Sequence, residues 1–295
     1  LKDVKERTGT IKTNPGASMI DLGDGVACLE FHSKMNSIGG DTVQMMNFAI
    51  DEVERNFTGL VVGNQGGNFS AGANIMMLLL AAQEEEWDDI NMMVRALQNA
   101  VRRLRYSQKP VVTAPYGLTL GGGCEITRHG DKVRAAGETY IGLVEVGVGV
   151  IPAGCGTKEM TMRAMDAWAK APDSDPLQFL KKTFETIGMG KVATSAQEGR
   201  AFGFLRDSDA ISMNGDRLVQ DAKQEVLNLD AAGYVAPVER NDITVLGEAG
   251  EAAMKLALHM MKRGGFISDH DELIGKKLAH IMSGGTINHR TQVSE

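Results

Sequence analysis

Two short apolar segments, each running through a glycine-rich loop into a helix, constrain this chain most. "GLVVGN" (59–64) leads into "QGGNFSAGANI" (65–75), and "PVVTAP" (110–115) leads into "YGLTLGGGCEI" (116–126). Short apolar runs bounded by turn residues predict buried strands. A helix that follows directly presents unpaired N–H groups with a partial positive charge. Glycine in the connecting loop lets a ligand come within hydrogen-bonding distance of the backbone. Three uses of such loops compete. A Walker phosphate loop needs GxxxxGK[ST], and neither loop has a lysine after its glycines; the dinucleotide fingerprint GxGxxG after a strand is missing too. What remains is one backbone N–H from each loop converging on a single oxygen, an oxyanion hole.

The flanking sequence predicts an α/β fold. Residues 17–31 alternate around Gly-Asp-Gly as a β-hairpin. "DTVQMMNFAIDEVER" has helical spacing behind Asp41, placed to cap its first turn. "NIMMLLLAAQEEEWDDINMMVRALQNAVRRLRY" reads as one or two long helices. "CEITRH" is a short helix with Gly130 as a left-handed stop, followed by strands "KVRAA" and "TYIGLV". From Thr157 helices dominate, including "TSAQEGRAFGFL" with a Ser195/Glu198 capping box and "SDHDELIGKKLAHIMSGG" with an Asp-rich start and a Gly-Gly end. The punctuated loop Lys170–Pro176 or the neighbourhood of Asp207 marks the end of the α/β core. The expected division is a core over 1–205 and a helical C-terminal region over 206–295.

Composition removes several classes of function. A net charge of −7 argues against nucleic acid as the main partner. The local basic run "VRRLRYSQK", with Arg102, Arg103, Arg105 and Lys109, reads as a solvated helix face or a contact for a small phosphorylated ligand. The longest apolar run, Ile75–Ala82, is far below the ~20 residues that span a bilayer. Three cysteines without CxxC spacing (Cys28, Cys124, Cys155) speak against a disulfide framework or zinc site and fit a reducing cytoplasm. The histidines, Asp269-His270-Asp271 included, form no metal-ligand motif, so no metal is expected. Methionine pairs such as Met45-Met46, Met76-Met77 and Met92-Met93 read as adaptable packing. The start at Leu1 and the abrupt end at "NHRTQVSE" suggest a portion of something longer.

"SKMNSI", "FSAGANI", "LTLGGGCEI" and "LVEVGVGVIPAGCGT" resemble, in order and spacing, the motifs of the crotonase or enoyl-CoA hydratase/isomerase superfamily, over roughly Ala17 to Leu205. The resemblance implies a crotonase (ClpP-like) fold of repeated ββα units with a helical C-terminal region. It assigns the two oxyanion donors to the N–H groups of Ala73 and Gly122, and the two acids of hydrating members to Glu125 and Glu145. Glu125 would position and activate water, and Glu145 would transfer a proton at the α-carbon. Substrate-binding residues carried over are Lys34, Ala71, Asn74, Ile75, Met76 and Gly121. Cys124 is expected to be a small packing residue. The chain departs from the pattern at Asn74, where the family usually has Asp, at Leu143-Val144-Glu145 in place of Gln-Pro-Glu, and at Ala153 in place of a glycine. The segment between Gly156 and Thr194 is also longer than in the simplest hydratases.

The segments 184–205 and 264–285 resemble the hydratase region of bacterial bifunctional 3-hydroxyacyl-CoA dehydrogenases. The implied function is syn addition of water to trans-2-enoyl-CoA in fatty-acid β-oxidation. No cofactor is implied beyond the CoA carried by the substrate. The resemblance further implies an N-terminal NAD-binding dehydrogenase domain in the full-length chain, a homo-oligomer and a cytoplasmic location. Two other readings stay open: Δ3-Δ2-enoyl-CoA isomerisation, which uses the same donors and one acid, and a non-catalytic module that docks acyl-CoA.

Overall fold

A computed structural model describes residues 1–171 and 173–295. The first half of the chain runs α1 (Lys2–Thr8), β1 (Thr10–Thr13), β2 (Ala17–Asp21), β3 (Val26–Phe31), α2 (Gly40–Asn56), β4 (Gly59–Val62), α3 (Ile75–Gln83), α4 (Trp87–Arg105), β5 (Val111–Thr113), β6 (Gly117–Leu120), α5 (Gly122–Arg128), β7 (Lys132–Ala136) and β8 (Thr139–Gly142). It continues with α6 (Gly156–Ala169), α7 (Pro176–Gly188), β9 (Val192–Ala193), α8 (Ala196–Ala201), β10 (Ala210–Ser212), α9 (Leu218–Ala231), β11 (Ile243–Val245), α10 (Gly247–Arg263), α11 (Asp269–Met282) and β12 (Thr291–Val293). Short 3₁₀ turns occupy Lys34–Asn36, Glu145–Val148 and Gly215–Arg217. The chain forms two compact units: Leu1–Ile141 with Ala193–Val238, and Gly142–Val192 with Glu239–Glu295.

The first unit is built on a seven-stranded sheet of order β1-β2-β3-β4-β5-β7-β10. Its first two pairings are antiparallel and the remaining four are parallel. Central strands β3, β4 and β5 are buried along their whole length, as their continuous apolar runs predict. The 17–31 segment forms the expected hairpin, with Gly23, Asp24 and Gly25 all at positive φ. The Asp21 carboxylate accepts from Gly23 N–H (2.7 Å), and the buried Lys223 ammonium donates to Leu22 O (2.8 Å) and Asp24 Oδ2 (2.7 Å). That lysine sits on α9, whose Leu218, Ala222 and Val226 share one core cluster with Cys28, Val61 and Val112. The boundary expected after Leu205 therefore falls inside the first unit, because α9 packs on the sheet.

Several local expectations change. Helix α2 begins at Gly40 behind Gly39, so Asp41 lies within its first turn and makes no cap bond. The 74–106 segment is two helices, interrupted where Glu85 takes a φ of 58°. Gly130 is not a left-handed stop; a Cβ there would stand 2.9 Å from Thr113 Cγ2, so glycine serves close packing against β5. The Ser195 hydroxyl caps Glu198 N–H, but Glu198 returns its bond to Thr194 N–H instead of to Ser195, leaving the capping box half formed. Met45 and Met46 are core residues, whereas Met76, Met77 and Met92 are more than half exposed. The strand expected over 139–144 ends at Gly142. Arg103 is engaged by Asp51 and by Asn47 Oδ1 (2.8 Å) on α2.

The second unit is mainly helical, with a small antiparallel pair of β11 and β12. Helix α7 starts with Asp175 capping Leu177 N–H and Pro176 in the first turn. The loop singled out at Lys170–Pro176 includes Pro172, which lies outside the described residues. Helices α10 and α11 approach closely at Gly275, where a Cβ would meet Leu258 Cδ2 at 2.5 Å. Arg240 ties Asp166 (2.8 Å) to Asp242 (2.8 Å), and Lys158 reaches Glu295 (2.7 Å). Among the described residues no helix is long and apolar enough to cross a membrane.

Asp131, immediately before β7, carries the clearest pH dependence of the first unit. Burial pushes its carboxyl up to about 6, against the opposing bonds from Val111 N–H (2.8 Å) and the Tyr234 hydroxyl (3.0 Å). The folded state thus holds this proton more tightly than the unfolded chain, and ionising Asp131 lowers stability as pH rises from about 4 through about 6. Asp131→Asn keeps an acceptor for Val111 and removes the charge. Its stability relative to the parent, measured by urea unfolding, is expected to improve between pH 4 and 7 by up to about 3 kcal/mol; a pH-independent difference would refute the assignment.

Candidate active site

Loop 63–74, which follows β4, is held on both sides by backbone pairing. Ile38 N–H donates to Gly72 O (2.9 Å) and Asn74 N–H donates to Ile38 O (3.0 Å), forming a parallel bridge between Ile38 and Ala73. Ser70 N–H donates to Leu118 O (2.9 Å) and Leu120 N–H donates to Ser70 O (3.0 Å), a second bridge centred on Thr119. In a parallel bridge the central residue's own N–H points away from its partner, because its two neighbours make the bonds. At Ala73 that leaves the N–H directed away from Ile38. Among the described residues neither Ala73 N–H nor Gly122 N–H donates to a protein acceptor.

The two glycine loops meet at these amides. A Cβ placed on Gly122 would stand 3.5 Å from Ala73 N and 2.9 Å from Ile38 Cδ1, and one placed on Gly72 would stand 3.1 Å from Leu120 O. Gly72 and Gly121 also have positive φ, 104° and 52°. Glycine is therefore required both for backbone conformation and for the closeness of the loops. Gly123 meets the same limit, with its hypothetical Cβ 2.7 Å from Ser70 Cβ.

Side chains missing from the sequence-based set hold this arrangement. The Ser70 hydroxyl accepts from Gly72 N–H (3.1 Å) inside the protein. Buried Asn64 accepts from Phe31 N–H (2.6 Å) and donates to Phe69 O (2.7 Å). Asn68 Oδ1 accepts from Leu118 N–H (3.0 Å), and Asn36 Nδ2 donates to Asn68 O (2.8 Å). Met35 and Asn36 both adopt left-handed φ, 56° and 50°, and Met35 O accepts from Ala71 N–H (3.1 Å). The motifs "SKMNSI" and "FSAGANI" contained Met35, Asn36 and Ser70, and the segment just before the second contained Asn64 and Asn68, but nothing in their spacing announced which polar atoms would meet.

The structure thus gathers the turn bearing exposed Lys34 with Ala71, Ala73, Asn74, Gly121 and Gly122 in the first unit. Asn74 precedes α3 and makes no side-chain cap bond. Ile75 and Met76 open α3 and are about half exposed, at 49% and 57%. Glu125 lies in the first turn of α5, one helical turn from Gly122, and is 2% exposed; its backbone carbonyl accepts from His129 Nδ1 (2.6 Å). Cys124 is fully buried. Glu145 opens the 3₁₀ turn Glu145–Val148 in the second unit and is half-buried.

A cavity of about 620 Å³ adjoins Ala73 and Asn74. Its walls come from α2, α3 and α4, through residues such as Val43, Met77, Leu78, Met93 and Leu97, with Gln44 and Asn47 as polar exceptions. A predominantly apolar recess of this size suits a hydrocarbon chain.

Comparison with known proteins agrees with the motif order. The chain is 46% identical over all of its 295 residues to a Bacillus subtilis protein named "Probable 3-hydroxyacyl-CoA dehydrogenase", of which it covers 37%. It is 34% identical over 132 residues to the short-chain-enoyl-CoA hydratase of Clostridium acetobutylicum, covering 43% of this chain and 48% of that protein. The chain therefore spans less than half the length of either relative. The crystal structure of an enoyl-CoA hydratase from Bacillus anthracis superposes with a TM-score of 0.59 over 90% of both chains at 20% identity, which shows a shared crotonase fold. A family model described as enoyl-CoA hydratase/isomerase matches residues 21–171, the stretch that contains both glycine loops and the turn bearing Glu145. On that match, the chain belongs to the enoyl-CoA hydratase/isomerase family.

Proposed function

We propose that this chain is an enoyl-CoA hydratase, adding water syn across the double bond of a trans-2-enoyl-CoA to give a 3-hydroxyacyl-CoA. The observation that carries the reading is the close approach of the Ala73 and Gly122 amides, with buried Glu125 one turn further along α5. Two N–H donors directed at a thioester oxygen would stabilise the negative charge that builds there as water oxygen bonds to C3. Each such donor is worth about 3 to 4 kcal/mol in the transition state.

In this mechanism Glu125 removes a proton from water, the water oxygen attacks C3, and the enolate charge rests on the oxygen held by Ala73 and Gly122. Glu145, carrying a proton, delivers it to C2. The two carboxyls then exchange a proton through solvent before the next turnover. Lys34, Ala71 and Gly121 would line the path of the CoA moiety, while Asn74, Ile75 and Met76 would flank the thioester. The acyl tail would enter the cavity beside Ala73. CoA arrives as part of the substrate, and no further cofactor takes part.

The length covered in the Bacillus subtilis relative supports a wider reading: the chain forms the hydratase portion of a protein that also carries a nicotinamide-dependent 3-hydroxyacyl-CoA dehydrogenase and acts in fatty-acid β-oxidation. A cytoplasmic location and a homo-oligomeric state belong to this proposal on the motif resemblance alone. The full-length protein should then reduce NAD⁺ when given crotonyl-CoA.

Loss of the conjugated-enoyl absorbance of crotonyl-CoA measures hydration directly. Glu125→Gln and Glu145→Gln are each expected to lower kcat by at least about 10²-fold, and wild-type rates in both would sink the mechanism. Incorporation of ¹⁸O from labelled water separates hydration from Δ3-Δ2 isomerisation, which adds no oxygen. CoA-ester binding without turnover in the full-length protein would leave only the docking reading. The cavity makes its own claim: Val43→Phe should lower kcat/KM for a C10 enoyl-CoA by about tenfold while leaving crotonyl-CoA nearly unaffected. An equal effect on both chain lengths would place the tail elsewhere.

A further inference from the structure

The sequence Asp269-His270-Asp271 opens α11, and its three side chains have different tasks. Asp269 pairs with Lys262 at the end of α10 (2.7 Å). Asp271 closes a full capping box with Ser268, accepting from its backbone N–H (2.9 Å) and hydroxyl (2.7 Å) while Ser268 Oγ accepts from Asp271 N–H (3.1 Å). Both acids thus fix the helix start and leave His270 to reach outward. Its Nε2 lies 2.9 Å from Gly149 O. A carbonyl can only accept, so Nε2 carries the hydrogen in this contact.

Gly149 ends the turn that carries Glu145. Val150 N–H donates to Glu145 O (3.2 Å), Gly149 N–H donates to Val146 O (3.1 Å) and Gly147 N–H donates to Val144 O (2.9 Å), so the segment is closed on itself by backbone bonds that tie Gly149 to Glu145. Gly149 has a left-handed φ of 86°, and a Cβ there would stand 3.3 Å from His270 Nε2. A second observation couples the same elements. Val144, Val146 and Gly147 line a cavity of about 390 Å³ together with Asp271 and Gly275 of α11 and Leu258 and Phe266. The turn therefore borders open space, where a directional bond has more to hold than in a filled core.

We infer that His270 is a positioning residue for the proposed hydration: its Nε2–H bond to Gly149 O fixes the turn that presents the Glu145 carboxyl. This rests on the role proposed above for Glu145. His270 is exposed and touches no reacting atom in that scheme, so its removal should disturb geometry at the acid more than folding. Misplacement of a proton donor by a fraction of an ångström acts on kcat more than on binding.

The test compares His270→Ala, His270→Gln, Glu145→Gln and the His270→Ala/Glu145→Gln double variant, using crotonyl-CoA hydration and thermal unfolding. His270→Ala is expected to lower kcat about tenfold with KM within about twofold of the parent and an unchanged melting temperature. The glutamine amide can occupy the place of Nε2 and donate to Gly149 O, so His270→Gln should recover most of the rate. In the Glu145→Gln background His270→Ala should cost nothing more, the non-additivity of two groups acting through one. Wild-type kcat in His270→Ala, absence of rescue by glutamine, or an undiminished further loss in the double variant would each overturn the role of His270. Full activity of Glu145→Gln alone would instead overturn the reading of Glu145, which keeps the two failures distinct.

Discussion

The parallel bridge between Ile38 and Ala73 is the contact on which the arrangement of the glycine loops depends. It uses the carbonyl of Gly72 and the amide of Asn74, and by doing so turns the Ala73 amide away from its partner strand. The second bridge, between Ser70 and Thr119, fixes how far the other loop advances before α5 begins. Backbone pairing of this kind has little freedom of register, since a one-residue slip would reverse which amides face outward. Orientation of the donors is thus a property of the main chain, and the side chains around it serve to keep the register.

Those supporting side chains are mostly asparagines. Asn36, Asn64 and Asn68 each satisfy loop backbone groups that the sheet ladder leaves over. An amide suits this work because it offers donor and acceptor together and carries no charge whose burial would be costly. Asn36 adds tolerance of a left-handed backbone, which few residues other than glycine share. Steric constraint completes the picture: at Gly72, Gly122 and Gly123 a side-chain carbon would press on the opposite loop, so the glycines set the distance between the loops as the bridges set their direction.

Much of the first unit was legible in the sequence. The hairpin, the buried strands and the helix after each glycine loop follow from apolar runs, turn residues and helical spacing, and all appear. The family motifs pointed to Ala73 and Gly122, and the fold brings these two together. Expectations failed where one residue type can serve two purposes. Gly130 suggested a left-handed stop but answers to the bulk of Thr113, and Asp41 suggested a cap but sits within the helix. The roles of Ser70, Asn68 and Ile38 have no local sequence signal, because they lie in which distant backbone group each residue meets. The place of α9 could not be read locally either: its apolar stripe is that of any surface helix, and only the sheet it covers assigns it to the first unit.

Strand β7 pairs on one side with β5 and on the other with β10, so Arg134 lies opposite Ala210 across a long interval of chain. The intervening segment leaves the first unit after Ile141 and returns at Ala193. On a ribosome, β1 through β7 emerge well before their last neighbour, and one edge of the sheet stays open while the second unit's first helices are made. Pairing across so large a sequence separation is slow and exposes an unpaired edge meanwhile. The charged side chains of Lys132 and Arg134 stand on that edge and later meet Glu225 and Asp221 of α9. Positive charge on an open edge strand disfavours pairing with another sheet edge, a second consequence of the two cations that end in an ion-pair network with α9.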